Sequence, residues 1–186
     1  MVGDTAHRWN LRLKFNGGII MHYVYIAFGD EHKTSIYTLE PDSGALTFSE
    51  DVALSGGPGP IAVDANRRHM YIGIRSTCEI ASFSINRDSG KLSALGTISL
   101  DTDPCYMFVD RTGKFLLSSY YIGGKVTVHR IGTDGAAGEK VCEVTTAGHA
   151  HCIQTDRSNR FAFVPHTVPP NAIFQFRFDQ TFKIFI

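Results

Sequence analysis

The sequence predicts an all-β fold built from repeated four-stranded units, a β-propeller, and three observations predict it. The first is a period. The segments "IAVDANRRHMYIGI", "MFVDRTGKFLLSSY" and "IQTDRSNRFAFVP" each carry an aspartate, a short basic turn and an apolar strand, and Asp64, Asp110 and Asp156 stand 46 residues apart. The same step links Tyr25, Tyr71, Leu117 and Phe163 in the strand that follows, and the "DSG" turns at Asp42 and Asp88. The second is alternation of apolar and polar residues with the two-residue period of a half-buried strand, with no sustained helical periodicity. The third is turn chemistry, since Gly, Asp, Asn and Ser recur at strand ends, where they tolerate left-handed or Asx-turn backbone. Antiparallel four-stranded units of about 40 to 50 residues are what propeller blades look like in sequence, and a stacked solenoid is the competing arrangement.

The second unit shows the elements most clearly. "PIAVD" reads as a short apolar strand, "NRR" as a turn, "HMYIGI" as a strand, "EIASFSIN" as an alternating strand, "RDSG" as a turn and "KLSALGTISL" as the fourth strand. Before the first unit, residues 1–20 have scattered charges and no apolar run long enough for a signal peptide or a membrane span. They read as an extension, or as an ordinary short strand "LRLKF", ahead of a clean strand that opens at Met21. From Met21 onward the length accommodates roughly three and a half blades, fewer than a closed propeller needs, so a partial propeller is expected. The ending "FDQTFKIFI" lacks the turn and strand pattern of the earlier units, and residues 182–186 read as a non-native tail. An open blade edge exposes unpaired backbone and apolar faces, which predicts self-association.

Eighteen basic residues balance eighteen acidic ones. No net field recruits nucleic acid or an anionic membrane, so neither is an expected partner, and any anion must be held by a local cluster. Cys78, Cys105, Cys142 and Cys152 form no CxxC pair and lie in apolar segments. They read as reduced thiols of a cytoplasmic protein rather than as a disulfide or zinc framework. "SGGPGP", Ser55 to Pro60, lacks the Lys-Ser/Thr of a phosphate loop and reads as a blade-to-blade turn, and no Gly-x-Ser-x-Gly elbow supports serine-hydrolase chemistry. Val63, Tyr71, Ile72, Phe83, Phe163 and Phe176 read as packing between blades.

The chemistry-bearing candidates cluster at strand ends. In a propeller the innermost strands line a central channel, and the loops at one rim form the usual binding site. His149 and His151 are expected to open the innermost strand of the fourth blade, and as residues i and i+2 both imidazoles should project the same way. An imidazole both takes and gives a proton near neutrality, so the pair is an acid–base candidate, with polar rim residues as the alternative. His-x-His supplies only two metal ligands, and no third is spaced to complete a zinc site. Arg75 ends the second strand of its unit, and the same step places Tyr121 and Thr167 at the equivalent positions, beside Tyr120 and His166. A guanidinium fork suits a carboxylate or phosphate, with a surface salt bridge as its alternative, and the tyrosines suit either binding or packing.

The segments "YVYIAF", "SGALTF", "SGKLSAL", "HMYIGIR", "SSYYIGGKVTVHRI" and "HAHCIQTDRSNRFAFVPHTVPPNAIFQFRFD" resemble the seven-bladed propeller lactonases. That family includes propeller-type bacterial 6-phosphogluconolactonase and fungal carboxymuconate cyclase. The resemblance runs from Met21 to Asp179 in blade register, matches the family's N-terminal half, and implies relatives of seven blades and about 320 residues. The family's later Gly-Pro-Arg-His and Asn-Glu elements have no counterpart in this sequence. The resemblance implies that His151 matches a recurring family histidine and acts as acid or base, with His149 in support. It also implies a basic residue at Arg75, suited to an anionic lactone or carboxylate substrate, and the 46-residue step adds Tyr120, Tyr121 and His166 as substrate-binding candidates at the same rim. No metal or organic cofactor is implied. The expected function is hydrolysis of a sugar lactone such as 6-phosphogluconolactone. The alternatives are a carboxymuconate-type cycloisomerase using the same residues and a non-catalytic propeller platform.

Overall fold

The computed structural model describes residues 21–179 and the backbone of Lys183–Phe185. The extension at residues 1–20, with its "LRLKF" segment, lies outside the described residues, as do residues 182 and 186 of the C-terminal stretch. The described strands fall into four antiparallel sheets, each a blade. Blade 1 holds β1 (His22–Phe28), β2 (Lys33–Leu39) and β3 (Leu46–Ala53). Blade 2 holds β4 (Pro58–Val63), β5 (His69–Ile74), β6 (Glu79–Ile85) and β7 (Leu92–Ser99). Blade 3 holds β8 (Tyr106–Val109), β9 (Phe115–Tyr120), β10 (Lys125–Ile131) and β11 (Ala137–Thr145). Blade 4 holds β12 (Gln154–Thr155), β13 (Phe161–Pro165), β14 (Ile173–Asp179) and β15 (Lys183–Phe185). In every blade the spatial order follows the chain order, so each blade is a simple meander.

The 46-residue step aligns β1 with β5, so blade 1 enters the described chain at its second strand. β15 lies within the stretch read as a non-native tail. Its backbone pairs with β14, Asp179 opposite Lys183 and Arg177 opposite Phe185.

The recurring aspartates explain why the period is so plain. Each stands where the innermost strand turns back into the second, and its carboxylate accepts the backbone N–H groups that the turn leaves unpaired. Asp64 Oδ1 accepts from the N–H of Arg68 and His69, Asp110 Oδ1 from Lys114 and Phe115, and Asp156 Oδ1 from Arg160 and Phe161. Three residues past each aspartate the chain is left-handed, at Arg67 (φ 56°), Gly113 (φ 72°) and Asn159 (φ 58°). Only one of the three is glycine, and a non-glycine residue held there carries strain. Asn159 offsets it by bonding across the blade boundary, its amide donating to Asp110 Oδ2 at 2.8 Å while its Oδ1 accepts from Thr155 Oγ1 at 2.8 Å.

Blades pack face to face, and the core is three apolar layers. Tyr23, Tyr25, Ile36 and Phe83 belong to the layer between blades 1 and 2, Tyr71, Met107 and Leu116 to that between blades 2 and 3, and Phe115, Leu117, Val164 and Phe176 to that between blades 3 and 4. Burial of each such side chain stabilises by about 1.5 to 3 kcal/mol relative to exposure. The period also sets polar locks between blades. The Tyr25 hydroxyl donates to the Gly90 carbonyl at 2.6 Å, and one step later the Tyr71 hydroxyl donates to Gly135 at 2.9 Å. Both glycines have positive φ, and a Cβ on either would lie within 2.3 Å of an aromatic ring of the preceding blade, Tyr23 or His69. The expected core residue Phe163 is the exception, 37% exposed together with Phe161 and Ile173. They sit on the face of blade 4 that no described blade covers, the face on which the expected self-association would act.

Candidate functional site at the upper rim

Each second strand ends at the rim where the connection from the previous blade arrives, and strand alternation divides the residues there. Tyr120 and His166 share one phase of the pleat, Arg75, Tyr121 and Thr167 the other. Tyr120 therefore turns toward blade 2 and Tyr121 toward blade 4, although they are neighbours in sequence.

The contacts at this rim run from the end of one second strand to the connection entering the next blade, 28 residues on. A Cβ at Gly57 would lie 2.8 Å from the carbonyl oxygen of Gly29. One blade later Arg75 donates to Asp103, its Nε at 3.0 Å and its Nη2 at 2.6 Å from Oδ2. One blade later again the Tyr121 ring meets the His149 ring, with centroids 4.7 Å apart. A single backbone geometry thus holds bare backbone, an ion pair and an aromatic pair in turn.

The two histidines are placed before the innermost strand rather than in it. β12 is only Gln154–Thr155, and the chain ahead of it is tied to β13 by an isolated bridge between Ala150 and His166. His149 is left-handed (φ 68°), and its N–H donates to the Tyr121 carbonyl at 2.8 Å while its own carbonyl accepts from Thr167 N at 3.2 Å. His151 N–H donates to the Pro165 carbonyl at 3.0 Å. Both rings pack on Tyr121, His151 edge-on at 5.7 Å, so they share a side through that common contact rather than through a regular pleat. His151 is exposed, whereas His149 is half-buried and its Nδ1 is buried without a hydrogen-bond partner.

His166 lies behind this group, on the phase of Ala162 and Val164 that turns toward blade 3. Its Nδ1 sits 3.0 Å from the Val164 carbonyl, and a carbonyl only accepts, so Nδ1 is the donor of that bond. Its Nε2 is buried and unpartnered, and the ring rests on Phe174 with centroids 4.4 Å apart. Tyr120 stands apart from the rim group. It is fully buried, its hydroxyl 2.9 Å from Thr127 Oγ1, and burial pushes its pKa up.

Three neighbours escaped sequence reasoning. Asp103, the partner of Arg75, is one step before His149, and Cys105 is one step before His151, so the period itself points to both. Cys105 Sγ lies 3.6 Å from the His151 carbonyl, and burial pushes its thiol pKa up, which keeps it protonated near neutrality. Gly59, on the innermost strand of blade 2, makes room for the arginine, since a Cβ there would lie 2.5 Å from Arg75 Cδ. Among the described residues no group of three or more His, Cys, Asp or Glu side chains could hold a metal ion.

Comparison with known proteins places the chain in a family. The family model described as lactonase, 7-bladed β-propeller, matches residues 22–183. The chain is 32% identical over 142 residues to a 6-phosphogluconolactonase of Pectobacterium carotovorum subsp. carotovorum, and 31% identical to one of Yersinia pestis. Each alignment covers 76% of this chain but 42% of the relative, so the chain spans about two fifths of the length of the curated relatives it matches. Among solved structures, a candidate 6-phosphogluconolactonase of Bacteroides uniformis superimposes with a TM-score of 0.80 at 17% identity, covering 87% of this chain and 49% of that one. The periplasmic gluconolactonase of Pseudomonas aeruginosa superimposes with a TM-score of 0.64 at 17% identity, over 68% of this chain and 37% of that one.

Proposed function

The chain belongs to the seven-bladed β-propeller lactonase family, and on that premise we propose that the protein hydrolyses a sugar lactone, 6-phosphogluconolactone, to 6-phosphogluconate, a step of the pentose phosphate pathway. The observation that carries this reading is the rim group itself. An exposed imidazole, His151, and a half-buried one, His149, are held on one phenol ring, with a guanidinium at the equivalent position one blade away. In the proposed reaction His151 takes a proton from water as the water oxygen bonds to the lactone carbonyl carbon. The tetrahedral intermediate then collapses, the ring C–O bond breaks, and the proton returns to the departing ring oxygen. His149 and Tyr121 position His151. Arg75 binds the anionic group of the substrate, exchanging part of its bond to Asp103 for a bond to phosphate, which a guanidinium meets in two-point fashion. His166 serves this site by packing behind it, whereas Tyr120 turns toward blade 2, away from the rim group. We place the protein in the cytoplasm, where the four free thiols would stay reduced.

The test is turnover of 6-phosphogluconolactone above its spontaneous hydrolysis. We expect His151→Ala to lower that turnover by about 10² to 10⁴ while leaving the unfolding curve in place. Turnover of a carboxymuconate alone would assign the family's cycloisomerase chemistry instead, and binding without turnover of either would make the rim a ligand platform.

A further inference from the structure

Tyr120 leads to a part of the molecule that the rim chemistry does not use. Toward the outer edge of the gap between blades 2 and 3, a cavity of about 280 Å³ opens between β7 and the hairpin of β10 and β11. Its floor is a row of buried polar groups. The Tyr120 hydroxyl lies 2.9 Å from Thr127 Oγ1, which lies 3.4 Å from His129 Nδ1. These three side chains are 0%, 1% and 3% exposed, so they are fixed by the packing around them. Ile98 and Leu100 supply an apolar wall. Lys125 bonds to both Asp101 and Glu143, and Lys140, which lines the cavity, bonds to Glu143 at 2.5 Å.

The chemistry of this lining selects a ligand class. Both ammonium groups are already matched by carboxylates, so an entering anion would have to displace an existing ion pair, and an entering cation likewise. Burial, reinforced by the charge of Lys140, pushes His129 down to about 4, so the imidazole is neutral near pH 7. Two hydroxyls and a neutral imidazole offer both donors and acceptors, and an apolar wall stands beside them. This combination suits a small hydroxylated molecule that presents polar edges and one apolar face, and the volume is at the lower end for ligand pockets.

We propose that the cavity between blades 2 and 3 is a second binding site, for an uncharged polyol or single sugar ring, with Thr127 and His129 as its hydrogen-bonding floor. The site is independent of the rim and of the lactonase reading.

The probe is D-glucose, titrated into the full chain and followed by amide chemical shifts. Saturable shifts at Leu100, Thr127 and His129 are expected. Thr127→Val should weaken binding about tenfold, near the upper end of what one lost hydrogen bond costs. Ser99 lines the cavity and is exposed, so Ser99→Trp should fill it and abolish binding without moving the unfolding curve. His151→Ala at the rim should leave glucose binding unchanged. Absence of saturable shifts, shifts that map to the rim and vanish in His151→Ala, or tighter binding of gluconate than of glucose would each overturn the proposal.

Discussion

The two rims of this molecule are ends of the same strands, built on the same 46-residue step, yet they differ in what they repeat. At the lower rim the residue type recurs: an aspartate caps each turn, and a left-handed residue follows three positions later. At the upper rim only the geometry recurs, and it is filled in turn by Gly29 against Gly57, Arg75 against Asp103, and Tyr121 against His149. The lower rim answers one backbone problem, the pairing of N–H groups that a tight turn would otherwise bury unpaired, and a carboxylate solves it each time. At the upper rim the backbone bonds to itself, as His149 N–H does to the Tyr121 carbonyl, so no single side-chain type is demanded in every blade. Repetition of residue type therefore marks stability here, and variation at a repeated position marks the proposed site.

The sharpest way to break that contrast is to remove the most buried cap. Asp110 is fully buried, and its Oδ2 accepts from Thr112 N, Thr112 Oγ1 and the Asn159 amide in addition to the two backbone groups on Oδ1. Asp110→Ala leaves these donors unpaired in the core and is expected to cost about 3 to 5 kcal/mol, read as a lower urea midpoint. His151→Ala, at an exposed upper-rim position, is expected to shift stability by less than about 0.5 kcal/mol while removing most of the proposed turnover. If the two variants destabilised equally, the division between the rims would not hold.

The sequence revealed the lower rim almost completely, because a repeated type is what an eye or a profile detects. The four-stranded units, the DSG turns and the blade boundaries all follow from it. The upper rim was legible only in part. Arg75, Tyr121, His149 and His151 stood out as reactive types, but Asp103 did not, because its relation to Arg75 crosses from one blade to the next and repeats no residue. Tyr120 and Tyr121 read as one pair since they adjoin, and the pleat sends them into different gaps. Gly59 carries no side chain to notice, and its role exists only once Arg75 lies across it.

Smaller effects sharpen the comparison. The Arg75–Asp103 pair is half exposed on the arginine side, so Asp103→Asn is expected to change stability by less than about 1 kcal/mol. Arg75→Ala is expected to raise KM for a phosphorylated lactone with little change in kcat, since it removes binding made alike in ground and transition states. An effect on kcat equal to that of His151→Ala would place the guanidinium at the reacting carbonyl instead.

Acid should attack the lower rim. The Ser158 hydroxyl, with the N–H groups of Phe161, Ser158 and Arg160, holds the Asp156 carboxyl well below the usual carboxylate range. In the unfolded chain the same group titrates near the ordinary value of about 3.9, so below that pH the unfolded state binds a proton that the folded state refuses. The contribution of Asp156 is therefore fully present above the ordinary carboxylate range and is lost as pH falls through it toward the folded value. Urea midpoints measured at descending pH should fall less steeply in Asp156→Asn than in the parent. Equal slopes would mean that other carboxylates carry the acid response.

A substitution of one glycine tests the turn itself. Arg67 and Gly113 occupy the same left-handed position one blade apart, at φ 56° and 72°. A Cβ added at Gly113 meets nothing within 4 Å, so Gly113→Ala meets only the backbone penalty of a left-handed alanine, about 1 kcal/mol. Arg67 holds the same conformation one blade earlier without being glycine, so the position tolerates a side chain and the cost at Gly113 should stay within that penalty. A urea midpoint lowered much further by Gly113→Ala would mean that the turn of blade 3 is constrained by more than its φ, and the lower rim would share the upper rim's dependence on individual residues.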